Sequence, residues 1–175
     1  MKRLRIHVVL VGALLLALGI GSYAVAGGGK KNIKSDDLTG YQENPDVSST
    51  GTGSFTATID DDAKTITYEL SYSGLEGGNA TASHIHFGKR AVNGGVSAFL
   101  CSGGDKPACP ATSGTVTGVI DAADIIGPAG QGIAAGEFDE LVAAIRAGHT
   151  YLNVHTPTWP GGEIRAQIND RRNDD

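Results

Sequence analysis

Apolar and polar residues alternate with a period of two along much of the chain. Apolar side chains occupy every second position from Phe55 to Ile59 and again from Ile66 to Tyr72, with Ser, Thr and Glu between them. Successive side chains of a β-strand point to opposite faces, so each segment predicts a strand with one buried face. The Asp-rich residues 60–64 predict a turn that joins the two strands into a hairpin.

The same alternation recurs in other segments, which are separated by clusters of Gly, Pro, Ser and Asp. The further predicted strands span residues 38–43, 81–87, 96–100, 114–120, 151–155 and 163–168. Residues 137–147 have a helical period instead, with Phe138, Leu141 and Ile145 on one face and Gly148 placed to end the helix. We therefore expect an all-β fold, an antiparallel Greek-key β-sandwich with one short accessory helix.

The first 26 residues have the pattern of a secretory signal peptide. Basic residues at positions 2, 3 and 5 precede an uninterrupted apolar run over residues 8–20, and a small-x-small site ends at Ala26. The apolar run is shorter than the ~20 residues that span a bilayer. We expect a secreted or periplasmic protein with no membrane segment after cleavage, and an uncleaved N-terminal anchor is the alternative.

The remaining chain divides into three parts by composition. Residues 27–37 are polar and rich in Gly, which predicts a flexible linker. Residues 38–168 carry the alternating pattern and form the predicted domain. Residues 169–175 are charged and predict a polar tail.

Charge and cysteine content restrict the class of protein further. The chain has 14 basic and 19 acidic residues, a net charge of −5; without the three basic residues of the signal peptide the charge becomes 11 − 19 = −8. An acidic protein is not expected to bind nucleic acid. Cys101 and Cys109 are the only cysteines, and an oxidising compartment predicts a disulfide between them.

Two histidines are the first candidate for chemistry. His84 and His86 are two residues apart on a predicted strand, so their side chains share a face and their Cα atoms lie ~7 Å apart. A His-x-His pair of this kind can form half of a copper or zinc site. An exposed histidine pair on an outer sheet face is the alternative.

The last two predicted strands carry a second polar set. Their alternation places Asn153 and His155 on one polar face and Glu163, Arg165 and Gln167 on the other strand's polar face. A hairpin through residues 156–162 would bring His155 near Glu163 and Asn153 near Arg165. We expect these side chains to form a polar cluster on the outer face of the sheet.

Strand order decides whether the two sets meet. If they do, His84, His86, His155 and Glu163 would form a copper or zinc site. If they do not, the polar faces are ordinary hydrogen-bonded surface.

Four short motifs resemble the chordin-type domain family, abbreviated CHRD. They are LTGYQENP at 38–45, HIH at 84–86, YLNVHT at 151–156 and GGEIRAQ at 161–167. The resemblance implies a secreted all-β domain that acts as a binding or structural module, and it implies no enzymatic activity. Asp46 departs from the family pattern, in which a second Pro often follows Pro45, and His149 stands where Asn is common.

The histidine strand is also similar to the copper-binding strand of copper/zinc superoxide dismutases, which are sandwiches too, so the expected fold is immunoglobulin-like or superoxide-dismutase-like. Our expectation is a secreted binding or structural module, not an enzyme, whose partner is an extracellular protein or a small ligand. It has no certain cofactor, with copper or zinc as the candidates. The alternative function is a copper-dependent redox protein of the superoxide-dismutase type.

Overall fold

A computed structural model describes residues 29–169 of the protein. Within this range the chain forms nine β-strands, one α-helix and three short 3₁₀ helices. The strands are β1 (Lys30–Ser35), β2 (Leu38–Thr39), β3 (Thr52–Asp60), β4 (Thr65–Ser73), β5 (Ala82–Phe87), β6 (Gly95–Cys101), β7 (Gly114–Ile120), β8 (Thr150–His155) and β9 (Ile164–Asn169). The helices are α1 (Phe138–Arg146) and the 3₁₀ turns Gly40–Gln42, Ala122–Asp124 and Ala129–Gln131.

The described strands pair antiparallel in one continuous ladder. Its order is β6-β5-β8-β9-β1-β3-β4-β7, and the short β2 pairs with both β3 and β9. The hydroxyl of Tyr68 on β4 donates a hydrogen bond of 2.6 Å to the carbonyl of Leu100 on β6, which joins the two halves of the ladder across the core. The predicted all-β fold with a single α-helix is confirmed for the described residues.

The β3–β4 hairpin shows how the alternating pattern becomes structure. Its inward positions are apolar and buried, and Phe55 and Tyr68 stack with their ring centroids 6.3 Å apart. Each such side chain stabilises the fold by ~1.5–3 kcal/mol, because its apolar surface is removed from water. In the turn, the Asp60 carboxylate accepts a hydrogen bond of 2.9 Å from the Ala63 amide, so the acidic run acts as the predicted turn.

Helix α1 covers part of the same core. Its buried residues lie on one face and include Phe138, Leu141 and Ile145, as the sequence pattern predicts. Gly148 follows the helix with φ of +69°, a left-handed conformation that favours glycine, and its amide bonds the Ile145 carbonyl. Within residues 29–169, no helix has the length and apolarity required to cross a membrane.

The structure differs from the sequence interpretation of residues 27–37 as a flexible linker, because residues 30–35 form β1. This strand pairs with β3 along five positions and with β9 at Ser35 and Lys34. Ile33 is its one buried apolar side chain. Backbone hydrogen bonds to two neighbouring strands outweigh the polar composition, which therefore does not predict this strand.

The predicted strand over residues 38–43 is wrong in its second half. Only Leu38–Thr39 is extended, and a 3₁₀ turn follows at Gly40–Gln42. The chain passes so close to itself that a Cβ on Gly40 would lie 2.2 Å from the Val47 carbonyl oxygen, and the Val47 amide bonds the Gly40 carbonyl. This close approach needs a bend that a regular strand does not provide.

Cys101 and Cys109 form the predicted disulfide. The bridged segment follows β6, and Ser102 accepts a hydrogen bond from the Cys109 amide within it. The proposed signal peptide over residues 1–26 lies outside the described residues, as do residues 170–175 of the predicted tail.

Candidate metal centre

Three histidines share one face of the sheet. His84 and His86 lie on β5, and His155 is the last residue of β8. These strands are neighbours, with Ala82 of β5 opposite His155, so strand alternation puts all three imidazoles on the same side. Ile85 lies between the first two histidines and is fully buried on the apolar side, which fixes the direction of their rings.

The imidazole nitrogens are close enough to bind one ion. Nδ1 of His84 lies 2.9 Å from Nε2 of His155, and one nitrogen from each histidine falls within 4.8 Å of the others. Two nitrogens bound to one ion at ~2.0–2.1 Å can be at most ~4.2 Å apart. One pair already meets this limit, and the third nitrogen requires a movement of less than ~1 Å.

Hydrogen bonds to carbonyl groups assign the tautomers of two of the three rings. Nδ1 of His86 lies 3.0 Å from the Gly94 carbonyl and Nδ1 of His155 lies 3.0 Å from the Pro160 carbonyl. A carbonyl only accepts, so both Nδ1 atoms carry the proton and both Nε2 atoms present a lone pair. Nε2 of His155 accepts from Nδ1 of His84, so this Nδ1 carries a proton and binds an ion only after the proton moves to Nε2 of the same ring. Nε2 of His86 is buried without a hydrogen-bond partner.

Burial keeps the three imidazoles neutral. Desolvation is the largest cause of each change, and it lowers the pKa of His84 to about 3 and the pKa of His86 to about 4. The pKa of His155 is also lowered by burial. The charge of neighbouring histidines lowers the pKa of His84 further. Neutral imidazole is the form that binds a metal ion, and near pH 7 the site therefore needs no proton release before binding.

Aromatic rings surround the histidines. Phe99 on β6 packs edge-on against His84 with centroids 4.5 Å apart, and Tyr151 on β8 stacks parallel to His86 at 4.7 Å. Phe99 is held in turn by the disulfide segment, because a Cβ on Gly103 would lie 2.1 Å from the Phe99 ring. The rings fix the orientation of two imidazoles and exclude water from their flanks.

Arg165 connects the sheet face that carries the histidines to the loop of residues 88–94. Its guanidinium carbon lies 3.3 Å from the centroid of the Tyr151 ring, and its Nη2 donates to the carbonyls of Lys89 and Val92 at 3.0 and 2.9 Å. These carbonyls belong to residues 88–94, the loop between β5 and β6. The loop also contains Gly94, whose carbonyl holds His86. Arg165 thus anchors the loop that orients a histidine.

The predicted polar cluster forms, but it is not on an outer face. Asn153 pairs with Arg165 across β8 and β9, as the hairpin argument predicts. Arg165 is only 1% exposed, Asn153 2% and Gln167 5%. The amide of Gln167 donates to the carbonyls of Gly88 and Gly148 at 3.0 and 2.9 Å, so it holds two covering loops in place. The prediction of a solvent-facing cluster is wrong because loops cover this face.

Glu163 has a different set of contacts from the histidines. Its carboxylate accepts hydrogen bonds from the Ser49 hydroxyl (2.6 Å), the Glu76 amide (2.7 Å), the Gly77 amide (3.0 Å) and the Thr156 hydroxyl (2.9 Å). The group of metal-ligating side chains found among residues 29–169 contains the three histidines without it. Glu163 therefore joins three loops next to the histidine cluster.

Glu43 is a buried carboxyl that the sequence did not single out. It is 5% exposed, and its Oε1 is buried without a hydrogen-bond partner. Burial raises its pKa to about 7, against the opposing attraction of Arg165. Glu43 lies within the LTGYQENP motif, and the resemblance of this motif to the CHRD family was the sequence signal that could have identified the residue. Alternation along the predicted strand places Tyr151 on the polar face with Asn153 and His155, whereas Phe99 was visible only as a member of a strand.

The family of the protein follows from comparison with known proteins. Residues 35–168 match the CHRD domain, and this range covers most of the chain. The chain belongs to the CHRD domain family. The match includes the three histidines, Arg165, Glu163 and the disulfide of this CHRD domain. Searches of the curated proteins and of the solved structures found no match.

Proposed function

We propose that this protein is an exported CHRD domain that binds one metal ion, copper or zinc, through His84, His86 and His155. The observation that carries the proposal is the group of three imidazoles, with one nitrogen of each within 4.8 Å of the others. Nε2 of His86 is also a buried lone pair to which no group donates a hydrogen bond. A buried polar atom without a partner costs ~1–3 kcal/mol, and a metal ion would supply the missing partner.

The hydrogen bonds around the cluster support this proposal. Histidines that bind metals usually donate their second N–H to a carbonyl or carboxylate, which fixes the ring and makes the binding nitrogen more basic. His86 and His155 both have this arrangement, with Gly94 and Pro160 as the acceptors. These loops are themselves anchored, so the ligands are held in position before the ion arrives.

Export is part of the proposal. It rests on the signal-peptide pattern of residues 1–26, on the disulfide between Cys101 and Cys109, and on the family to which the chain belongs. Disulfides persist in oxidising compartments. An exported domain would meet metal ions in the periplasm or outside the cell, where it would act as a binding module.

The test is the metal content of the exported protein after growth with added copper and zinc, measured by elemental analysis beside His86→Ala. We expect about one ion per chain in the unmutated protein and a loss of at least tenfold in the variant. His149→Ala is the control, because this histidine follows α1 and lies outside the cluster. A substoichiometric content in the unmutated protein, or equal content in His86→Ala, would overturn the proposal.

A copper-dependent redox protein is the second candidate. Three protein ligands leave a coordination position open, and catalytic metal sites share this feature. Consumption of superoxide by the copper-loaded protein, compared with His86→Ala treated with the same copper solution, distinguishes an enzyme from a binding module. Equal rates in the two proteins would leave only the binding module.

A further inference from the structure

We infer that the histidine cluster selects monovalent copper, Cu(I), over divalent zinc. This inference rests on the proposed function, because it names the ion for the same site. The inference follows from the charge of the ligands, from a buried cation on the same face and from the number of ligands, and each of these is a property of the described residues.

The ligands bring no negative charge to the ion. The cluster consists of three imidazoles, and no Cys, Asp or Glu of residues 29–169 is part of it. The nearby Glu163 carboxylate already accepts four hydrogen bonds. A dication held by neutral ligands keeps its full charge of two, and the cost of burying an ion rises with the square of its charge. A monovalent ion is therefore favoured.

A buried cation lies on the same face. The guanidinium of Arg165 is in contact with Tyr151, and Tyr151 stacks on His86, so a single aromatic ring separates this charge from a ligand. Its repulsion is twice as large for a dication as for a monovalent ion. Glu43, the buried carboxyl that attracts this guanidinium, can at most neutralise it, which leaves no negative charge over for the metal.

The number of protein ligands also favours Cu(I) over zinc. Zinc prefers four ligands in a tetrahedron, so zinc at this site would need a water or other molecule as its fourth ligand. Cu(I) is stable with two or three nitrogen ligands. The rings of Phe99 and Tyr151 flank the imidazoles at 4.5 and 4.7 Å and give the site apolar sides. Such surroundings favour the ion that needs no bound water.

The experiment compares two affinities of the exported protein at one pH. Cu(I) is titrated by competition with bicinchoninate under anaerobic ascorbate, and Zn(II) by competition with a chromophoric zinc chelator. We expect one Cu(I) per chain, bound at least 100-fold more tightly than Zn(II), and a loss of both in His84→Ala. Zinc bound as tightly as Cu(I) would overturn the choice of ion while leaving the proposed function intact. A protein that binds neither ion would overturn both.

A pair of variants tests the charge argument separately. Phe99 contacts His84 and is partly exposed, so it tolerates a polar side chain, and Phe99→Gln and Phe99→Glu differ only in charge. We expect the carboxylate to raise zinc affinity at least tenfold over Phe99→Gln and to narrow the preference for Cu(I). Equal zinc affinities in the two folded variants would overturn the argument that the neutral charge of the ligands causes the preference for Cu(I) over zinc.

Discussion

Replacing Glu43 by Gln should stabilise the metal-free protein above neutral pH and leave its stability in acid almost unchanged. The Glu43 side chain is 5% exposed, and burial raises its pKa to about 7 from its ordinary value of 4.5. Glutamine has nearly the same shape as the protonated acid but cannot ionise. The substitution therefore removes the ionisation and preserves the packing.

The magnitude follows from the two pKa values of this carboxyl. Between pH 4.5 and about 7 the folded protein keeps a proton that the unfolded chain releases, so the stability of the wild-type protein falls as pH rises. A shift of this size corresponds to ~3 kcal/mol across the whole window, at ~1.4 kcal/mol per pKa unit. Between pH 5 and pH 8, the free energy of unfolding of Glu43→Gln should gain ~2–3 kcal/mol relative to the wild type.

The assay is urea unfolding at a series of pH values, followed by circular dichroism in protein treated with a metal chelator. The three histidines titrate in both proteins, so their contribution cancels in the difference. Glu69→Gln, a change at an exposed position of β4, is the matched control and should show no pH-dependent difference. If the difference between Glu43→Gln and the wild type is the same at pH 5 and pH 8, the argument from burial fails.

Two further predictions follow from contacts near the histidines. Glu163→Gln removes the negative charge that four hydrogen-bond donors share and replaces one accepting oxygen by an amide group that donates. It should lower the free energy of unfolding, measured by urea titration, by ~2–4 kcal/mol. A loss under ~0.5 kcal/mol would contradict the role of Glu163 in joining the loops. Gly103→Ala would place a Cβ 2.1 Å from the Phe99 ring and displace this ring from His84. Metal affinity, measured by chelator competition, should then fall about tenfold, because the contacts that orient metal ligands typically contribute 10–100-fold to metal affinity. Gly130→Ala, where a Cβ meets nothing within 4 Å, is the control, and equal affinities in the two variants would refute the coupling.

Local pattern predicted most strands and part of the candidate site. Alternation placed His84 and His86 on one face, and a short connection brought Asn153 opposite Arg165, because both depend on neighbouring residues. The position of His155 beside them depends on β5 pairing with β8. These strands are far apart in sequence, and alternation alone does not determine which distant strands pair.

The sequence pattern also did not predict that loops cover the polar face of β8 and β9. Polar positions on alternating strands ordinarily face water, and this rule gave the wrong environment for Arg165 and Gln167. The covering loop of residues 88–94 is held by side-chain to backbone hydrogen bonds such as the one from Arg165 to Val92. Such bonds leave no periodic signal, so the burial of a polar layer is not readable from spacing.

The position of β1 between β3 and β9 has a consequence for the order of folding. Strands from opposite ends of the domain meet in the middle of the ladder and join its two halves, since Ser35 pairs with Ile168. The chain cannot complete this ladder until β9 is available for pairing, and pairing over so long a sequence separation is slow. Until then β1, β2 and β8 lack a neighbour and expose unpaired strand edges, which are open to aggregation. The earliest and latest parts of the domain therefore become stable together, and a protein shortened before Ile164 would lose the strand that joins the two halves of the sheet.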